Sequence, residues 1–166
     1  MIQKKVCLLG AYGVGKTSLV ARFVHSIFSE KYMTTVGVKI DKKTVALDGG
    51  AVDMVIWDIY GEDDFQKVRM SYLRGASGYL LVVDGTRLKS LDTALALQKT
   101  AEATVGVLPF VVVINKADLV EDWVFDDKVM ETLATRGWKV VKTSAKTGAD
   151  VDETFTELAQ AMVARV

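Results

Sequence analysis

The chain alternates short apolar runs with segments in which apolar residues recur at helical spacing. Three runs, residues 6–9, 79–83 and 110–114, are continuously apolar, as strands covered on both faces of a sheet are. Two other segments each place their apolar residues on one helical face: Leu19, Val20, Phe23, Val24 and Ile27 in the first, and Val151, Phe155, Leu158, Ala159, Met162 and Val163 in the second. This alternation predicts β–α units around a mainly parallel sheet.

One region between the first helix and the second apolar run follows a different pattern. Val36, Val38 and Ile40 alternate with polar or small residues, and a glycine turn at 48–50 leads into residues 52–59. Alternation followed by such a turn predicts an antiparallel hairpin at one side of the sheet. The predicted element order is therefore β-α-β-β-α-β-α-β-α-β-α, with six strands and five helices.

Length and charge narrow the class of protein. The 166 residues suit one domain, 1–166, at roughly 150 residues per domain. Lys plus Arg and Asp plus Glu number 21 each, which argues against a generally basic nucleic-acid binder. The single cysteine, Cys7, excludes an internal disulfide. The longest apolar run, 107–114, is far shorter than the roughly 20 residues that span a bilayer. We expect a cytoplasmic protein without an intrinsic membrane anchor.

The first apolar run ends in a phosphate-binding pattern. Gly10-Ala-Tyr-Gly-Val-Gly-Lys-Thr17 fits G-x-x-x-x-G-K-[ST], in which glycines let successive backbone N–H groups turn inward around an anion. The following helix adds the positive end of its dipole. Lys16 would contact the β- and γ-phosphates, and Thr17 would ligate Mg²⁺. The residues predicted to hold the phosphates are Gly13, Val14, Gly15, Lys16, Thr17 and Ser18.

Two later segments indicate which base is bound. Asn115-Lys-Ala-Asp118 follows one predicted strand, and Thr143-Ser-Ala-Lys146 follows the next. The carboxyl ends of strands are where open α/β sheets bind ligands. A carboxylate at Asp118 accepts hydrogen bonds from the N1–H and N2–H₂ edge of guanine, a pair of donors that adenine lacks. This segment favours a guanine nucleotide over a phosphate-loop kinase or ATPase.

In this combination of motifs, the chain resembles the Ras superfamily of small GTPases, and within it the Rab-like branch. Tyr32-Met-Thr-Thr-Val-Gly-Val38 is similar to the first switch of that branch, and Trp57-Asp-Ile-Tyr-Gly-Glu62 to its W-D-x-x-G-Q. Residues 71–79 resemble its second-switch helix and the strand that follows. The resemblance implies a phosphate-loop G domain with a six-stranded, mostly parallel sheet, one antiparallel edge strand and five helices. It also implies a Mg²⁺-dependent switch that binds GTP and GDP and hydrolyses GTP.

The resemblance further assigns roles to single positions. The guanine would be held by Asn115, Lys116, Asp118, Ser144, Ala145 and Lys146, with Ala145 donating its backbone N–H. Phe28 matches the aromatic that packs against the base, and Tyr32 is assigned to the nucleotide. Thr35 and Asp58 would complete the Mg²⁺ shell begun by Thr17, Asp58 through water and Thr35 only when a γ-phosphate is present. The Gly61 N–H would touch that phosphate, which places Lys16, Thr35, Gly61 and Glu62 in the catalytic set.

Two positions beside the γ-phosphate depart from the family pattern. Glu62 replaces the usual glutamine that orients the attacking water, and Tyr12 replaces a small residue. Three interpretations stay open: drift in a lineage that hydrolyses GTP by other means, slow hydrolysis with an altered activator requirement, or catalysis by Glu62 or a partner residue. We expect slow hydrolysis. A scaffold gated by GTP, with vestigial hydrolysis, is the alternative function.

Two further features concern partners and anchoring. Trp57 and Tyr72 match aromatics that Rab-like proteins display to effectors and regulators, although simple packing is the alternative and Ile40 stands where phenylalanine is usual.

Rab-like proteins usually end in a tail with prenylated cysteines, which this sequence lacks. Either the protein is not lipid-anchored, as in prokaryotic Ras-like GTPases, or the sequence is a G domain cut from a longer chain.

Overall fold

A single six-stranded sheet organises the computed structural model, which describes residues 2–29, 37–63 and 67–164. Its strands, in chain order, are β1 (Ile2–Gly10), β2 (Val38–Leu47), β3 (Gly50–Ile59), β4 (Gly78–Asp84), β5 (Phe110–Asn115) and β6 (Lys139–Lys142). They lie side by side in the order β2-β3-β1-β4-β5-β6. Among these described strands only β2 and β3 pair antiparallel, and β2 lies at one edge of the sheet. The predicted sheet and its hairpin are confirmed.

Four α-helices, rather than the five predicted, lie within the described residues. They are α1 (Lys16–His25), α2 (Lys89–Val105), α3 (Asp127–Ala134) and α4 (Val151–Ala164). Between β3 and β4, where the remaining helix was expected, the described residues form only a 3-10 turn at Met70–Leu73. Arg69 and Arg74 bracket this turn with ψ angles of 111° and 126°, and such extended backbone cannot continue a helix.

The first helix is also shorter than its apolar pattern suggests. Ser26 adopts the left-handed conformation at φ 56° and donates its N–H to the Arg22 carbonyl, while the Ile27 N–H donates to the Ala21 carbonyl, which ends α1 at His25. Ile27, predicted to share the apolar face, therefore lies past the helix and is 59% exposed. The predicted face is wrong at this one position.

Both faces of the sheet are covered, as the continuously apolar strands predicted. Val6 and Leu8 of β1 face a core with α1 and α4, in which the Phe23 and Phe155 rings stack 4.0 Å apart. Cys7 faces the opposite core with α2 and α3, and burial raises the pKa of its thiol to about 12. Among the described residues, no helix is both long and apolar enough to cross a membrane.

Candidate nucleotide-binding site

The phosphate loop lies at the carboxyl end of β1 and leads directly into α1. Gly13 and Gly15 adopt positive φ angles of 78° and 100°, a backbone region that residues other than glycine rarely occupy. A Cβ atom on Gly15 would also lie 2.3 Å from the Asn115 amide nitrogen. Since α1 begins at Lys16, the positive end of the helix dipole faces the loop. Val14 is buried and Ser18 is half-buried in the first turn of the helix.

Lys16 is unusual in being a buried cation. Its side chain is only 6% exposed, and its Nζ lies 3.5 Å from the carbonyl oxygen of Ala11. Burial lowers the pKa of Lys16 to about 8, although the charge of Asp58 opposes the shift. A desolvated ammonium within a glycine-rich loop gains most from an anion that restores its charged form. The position thus suits a phosphate group.

Thr17 and Asp58 bring two oxygen ligands together beside the loop. The Thr17 hydroxyl donates to Asp58 Oδ2 at 2.5 Å, and Asp58 is fully buried near the end of β3. Hydroxyl and carboxylate oxygens are the ligand atoms that Mg²⁺ prefers, and this ion keeps waters and substrate phosphates in its shell. The pair fits Mg²⁺. Thr35, the third predicted ligand, lies outside the described residues, as does Tyr32.

Asn115 ties the phosphate loop to the two segments predicted to hold the base. Its side-chain amide donates to the Val14 carbonyl at 3.1 Å. Its Oδ1 accepts from the Thr143 hydroxyl and from the Ala145 backbone N–H, both at 3.2 Å. The structure therefore brings loops separated by about a hundred residues into one site. The Ala145 N–H, which the resemblance assigns to guanine, is engaged by Asn115 here.

Asp118 is oriented by the neighbouring loop. The Ser144 hydroxyl donates to Asp118 Oδ1 at 2.7 Å, and the same hydroxyl accepts from the Thr147 N–H at 3.1 Å. These bonds hold one carboxylate oxygen of Asp118 against the neighbouring loop, and a site that reads a base edge needs such positioning. Phe28 is half-buried against the α1 and α4 core just past the end of α1.

Arg22 and Lys146 meet at the outer side of this loop. Arg22 donates through Nε to the Ala145 carbonyl at 2.8 Å and through a second nitrogen to the Lys146 carbonyl. The side chain of Lys146 is exposed. Arg22 was not predicted as a site residue, because nothing local in the sequence indicates a contact to a segment 123 residues away.

Gly61 and Glu62 are packed directly on the phosphate loop. Glu62 donates its N–H to the Gly10 carbonyl at 3.1 Å, and its own carbonyl accepts from the Tyr12 N–H at 2.9 Å. A Cβ atom on Gly61 would lie 2.5 Å from Tyr12 Cα, so only glycine permits this approach. The Glu62 carboxylate accepts from the Val68 N–H at 3.3 Å. The side chain is thereby directed to its own loop.

A second buried acid, Asp84, was also missed by sequence reasoning. It ends β4, is 1% exposed and pairs with Arg87 Nε at 3.0 Å and with Lys116 Nζ at 2.8 Å. Lys116 adopts a left-handed backbone at φ 72°, and its Nζ also donates to the Gly13 carbonyl at 3.0 Å. The predicted base-binding lysine thus contacts the phosphate loop.

The proposed effector aromatics form one cluster on the β2–β3 side of the sheet. The rings of Trp57 and Tyr72 lie 6.2 Å apart, and Lys5 Nζ lies 3.6 Å above the Trp57 ring. Both aromatics are half-buried. Ile40 is paired with Trp57 across the hairpin and is 51% exposed.

These elements define a phosphate-loop, guanine-nucleotide-binding protein: the loop follows β1, Asn115 ends β5, and Asp118 lies just beyond that strand. A sequence model of the Ras family matches residues 5–164, and the chain belongs to that family. It is 33% identical to "Ras-related protein Rab-1" of Theileria annulata over 165 residues, and this alignment covers 98% of this chain and 75% of that protein. It is 33% identical over 164 residues to "Ras-related protein Rab-8B" of Homo sapiens, covering 98% and 79%. "GTP-binding protein ypt2" of Schizosaccharomyces pombe is 34% identical over 158 residues, covering 94% and 79%. The chain is therefore a Rab-like small GTPase, as its motifs predicted.

Proposed function

We propose that this chain is a Mg²⁺-dependent switch that binds GTP and GDP and hydrolyses GTP slowly. The observation that carries the proposal is the position of Asn115, whose side chain joins the phosphate loop at Val14 to the base loop at Ala145. One residue thereby couples the two halves of a single nucleotide site. A fixed spacing between phosphate and base positions is what selection of one nucleotide requires.

Each part of the site has its own task. The inward N–H groups of the phosphate loop and the buried Lys16 bind the phosphates, and Asp118 accepts from the edge of guanine. Thr17 and Asp58 hold Mg²⁺, which when bound neutralises part of the phosphate charge. Thr35 and Gly61 contact the γ-phosphate, so that its loss releases both switch segments. The aromatics Trp57 and Tyr72 present that change to effectors and regulators in the cytoplasm.

Slow hydrolysis is supported by the side chain at position 62. An amide at this position donates one hydrogen bond to phosphate and accepts another from water, whereas an ionised carboxylate only accepts. The Glu62 carboxylate accepts instead from the Val68 N–H. Tyr12 is 40% exposed at the rim of the loop, where it crowds the approach of a residue from an activating protein.

The same two residues favour a second candidate, a binding module in which GTP fixes one state of a scaffold and hydrolysis is vestigial. Release of inorganic phosphate over many turnovers separates the candidates. A switch enzyme releases phosphate continuously in excess GTP, at a rate that depends on Mg²⁺. A vestigial site binds GTP with the same affinity and releases less than one equivalent.

The test of nucleotide identity needs only the purified protein. We expect guanine nucleotide to remain bound after purification, at up to one equivalent, and GTP loaded in its place to become GDP with time. Retention of adenine nucleotide would overturn the proposal. Amide hydrogen exchange of residues 32–38 tests the switch: protection should differ between GDP and a non-hydrolysable GTP analogue, and Thr35→Ala should abolish that difference while leaving GDP affinity nearly intact.

A further inference from the structure

Asp84 is a buried carboxylate that two cations share through the same oxygen atom. Its Oδ2 pairs with both Arg87 and Lys116, while its Oδ1 accepts from the Thr86 N–H at 2.8 Å and the Thr86 hydroxyl at 2.6 Å. Burial alone would raise the pKa of Asp84, but the hydrogen bonds from Lys116 and Thr86 outweigh it and hold the pKa below its usual value. The group is therefore a fixed negative charge.

The two cations held by Asp84 reach neighbouring carbonyl oxygens of the phosphate loop. Arg87 donates to the Tyr12 carbonyl at 2.7 Å through a terminal guanidinium nitrogen. Lys116 donates to the Gly13 carbonyl at 3.0 Å. In a loop whose N–H groups turn inward to bind an anion, the carbonyls are left to other partners. Here those partners are charged and are anchored to one buried acid.

We propose that Arg87, anchored by Asp84, is a positioning residue that fixes the phosphate loop and slows the release of nucleotide. This inference rests on the nucleotide-binding function proposed above. The planar guanidinium donates through Nε to Asp84 and through a second nitrogen to Tyr12, which a single ammonium cannot reproduce with the same fork geometry. Arg87 fixes the backbone that binds the phosphates before nucleotide arrives, which reduces the ordering cost of binding.

The test measures dissociation of a fluorescent GDP analogue and a fluorescent GTP analogue at fixed Mg²⁺ concentration. Because Arg87 is half exposed, we expect Arg87→Ala to accelerate release of both analogues only about fivefold to tenfold. Arg87→Lys should resemble Arg87→Ala. The matched control is Lys99→Ala, which removes an exposed cation from α2 away from the loop and should release both analogues at the wild-type rate.

Two further measurements separate positioning from a merely structural role. The preference for guanine over xanthine nucleotides should be unchanged in Arg87→Ala, since the change acts on the phosphates and not on the base. Arg87→Ala leaves Asp84 paired with Lys116, so thermal unfolding of the nucleotide-free protein should stay cooperative even though its midpoint falls. Asp84→Asn combined with Arg87→Ala should release nucleotide no faster than Asp84→Asn alone, because the anchor is already lost.

These experiments distinguish failure of the role proposed for Arg87 from failure of the proposed nucleotide-binding function. Wild-type release rates in Arg87→Ala, or equal acceleration in Lys99→Ala, would overturn the role of Arg87 while leaving the nucleotide site intact. Failure of the wild-type protein to bind either analogue would instead overturn the proposed function, and the positioning role with it. If Asp84→Asn does not fold, the comparison of Arg87→Ala, Arg87→Lys and Lys99→Ala still decides the proposal.

Discussion

Tyr12 donates its backbone N–H to the carbonyl oxygen of Glu62 at 2.9 Å, so the two residues that depart from the family pattern are bonded directly to each other. A second bond, from the Glu62 N–H to the Gly10 carbonyl, completes an isolated parallel bridge between the second switch and the phosphate loop. Both hydrogen bonds are between main-chain atoms. Replacing the side chain of Tyr12 or Glu62 therefore tests its part in GTP hydrolysis while these two hydrogen bonds can still form.

Glu62→Gln should raise the single-turnover rate of GTP hydrolysis. Two unit negative charges about 5 Å apart cost roughly 3 kcal/mol at an effective dielectric of 20, so a carboxylate beside the phosphates is disfavoured. The amide restores a donor that can reach phosphate and an acceptor for water. Rapid mixing with radiolabelled GTP measures the rate. A decrease would show that Glu62 is itself a working catalytic group.

Adding Tyr12→Gly to Glu62→Gln should restore a response to an activating protein that inserts an arginine. Such an arginine accelerates hydrolysis about 10³- to 10⁵-fold in this superfamily, and Tyr12 occupies the rim across which it would enter. The measurement is the hydrolysis rate with and without an arginine-supplying activator that binds the protein. Tyr12→Phe is the matched control, since it keeps the bulk and should stay unresponsive.

Gly61→Ala should break the bridge between the switch and the loop. The added Cβ would lie 2.5 Å from Tyr12 Cα and 2.8 Å from the Ala11 carbonyl, distances that the backbone can relieve only by moving apart. We expect a loss of about 1–3 kcal/mol in the free energy of unfolding. Hydrogen exchange at the amides of Tyr12 and Glu62 should accelerate. Gly49→Ala, whose Cβ would meet no atom within 4 Å, serves as the control, and unchanged protection in Gly61→Ala would contradict the prediction.

The sheet could be predicted from the sequence because its strands contain short apolar runs, typical of buried strands, or alternating apolar and polar residues, typical of half-buried ones. The runs at 6–9, 79–83 and 110–114, which lie within β1, β4 and β5, are apolar at every position, and the glycine turn at 48–50 placed the hairpin. The helix expected between β3 and β4 was part of the element order predicted from the apolar pattern and was also implied by the resemblance, but in the described residues only Met70–Leu73 adopts a helical turn. The extended backbone of Arg69 and Arg74, on either side of this turn, prevents it from growing into an α-helix.

The nucleotide site could be predicted only where its residues form a motif that is contiguous in the sequence. The phosphate loop and the segment from Asn115 to Asp118 are local motifs, so their positions followed from strand ends. Arg22 and Arg87 act on carbonyls 123 and 75 positions away. No period or motif links such pairs, because the fold alone brings them together.

Asp118→Asn should shift base preference from guanine to xanthine. The Ser144 hydroxyl can still donate to the side-chain oxygen at position 118, so the loop keeps its shape while one acceptor becomes a donor. Loss of the guanine contacts should weaken GDP binding by about 3 kcal/mol, roughly a hundredfold. Competition between GDP and xanthosine diphosphate measures the change. Asp122→Asn, in the exposed turn nearby, should leave the preference unaltered, and unchanged GDP affinity in Asp118→Asn would exclude this carboxylate as the base reader.

The nucleotide-free protein should become more stable as pH rises from about 8 to 10.5. Burial lowers the pKa of Lys16 from 10.5 to about 8, so below pH 8 both folded and unfolded states are protonated and the folded state bears the full cost of the buried charge. Between the two values the unfolded state holds more protons, and stability rises with pH. The shift corresponds to about 3 kcal/mol at most. Urea unfolding at pH 7.5 and 9.5 measures it, with Lys16→Met, which should lose this rise, as the control.

Binding of nucleotide should reverse that shift and take up a proton. Phosphate groups beside Lys16 stabilise the ammonium and raise its pKa, so at pH 9 the free protein is mostly neutral at this position and the complex is charged. Titration calorimetry with GDP in two buffers of different ionisation enthalpy should show uptake of close to one proton at pH 9 and almost none at pH 7. Lys16→Arg keeps its charge throughout this range and should show no such uptake. Equal proton uptake at both pH values in the wild-type protein would mean that Lys16 does not meet the phosphates.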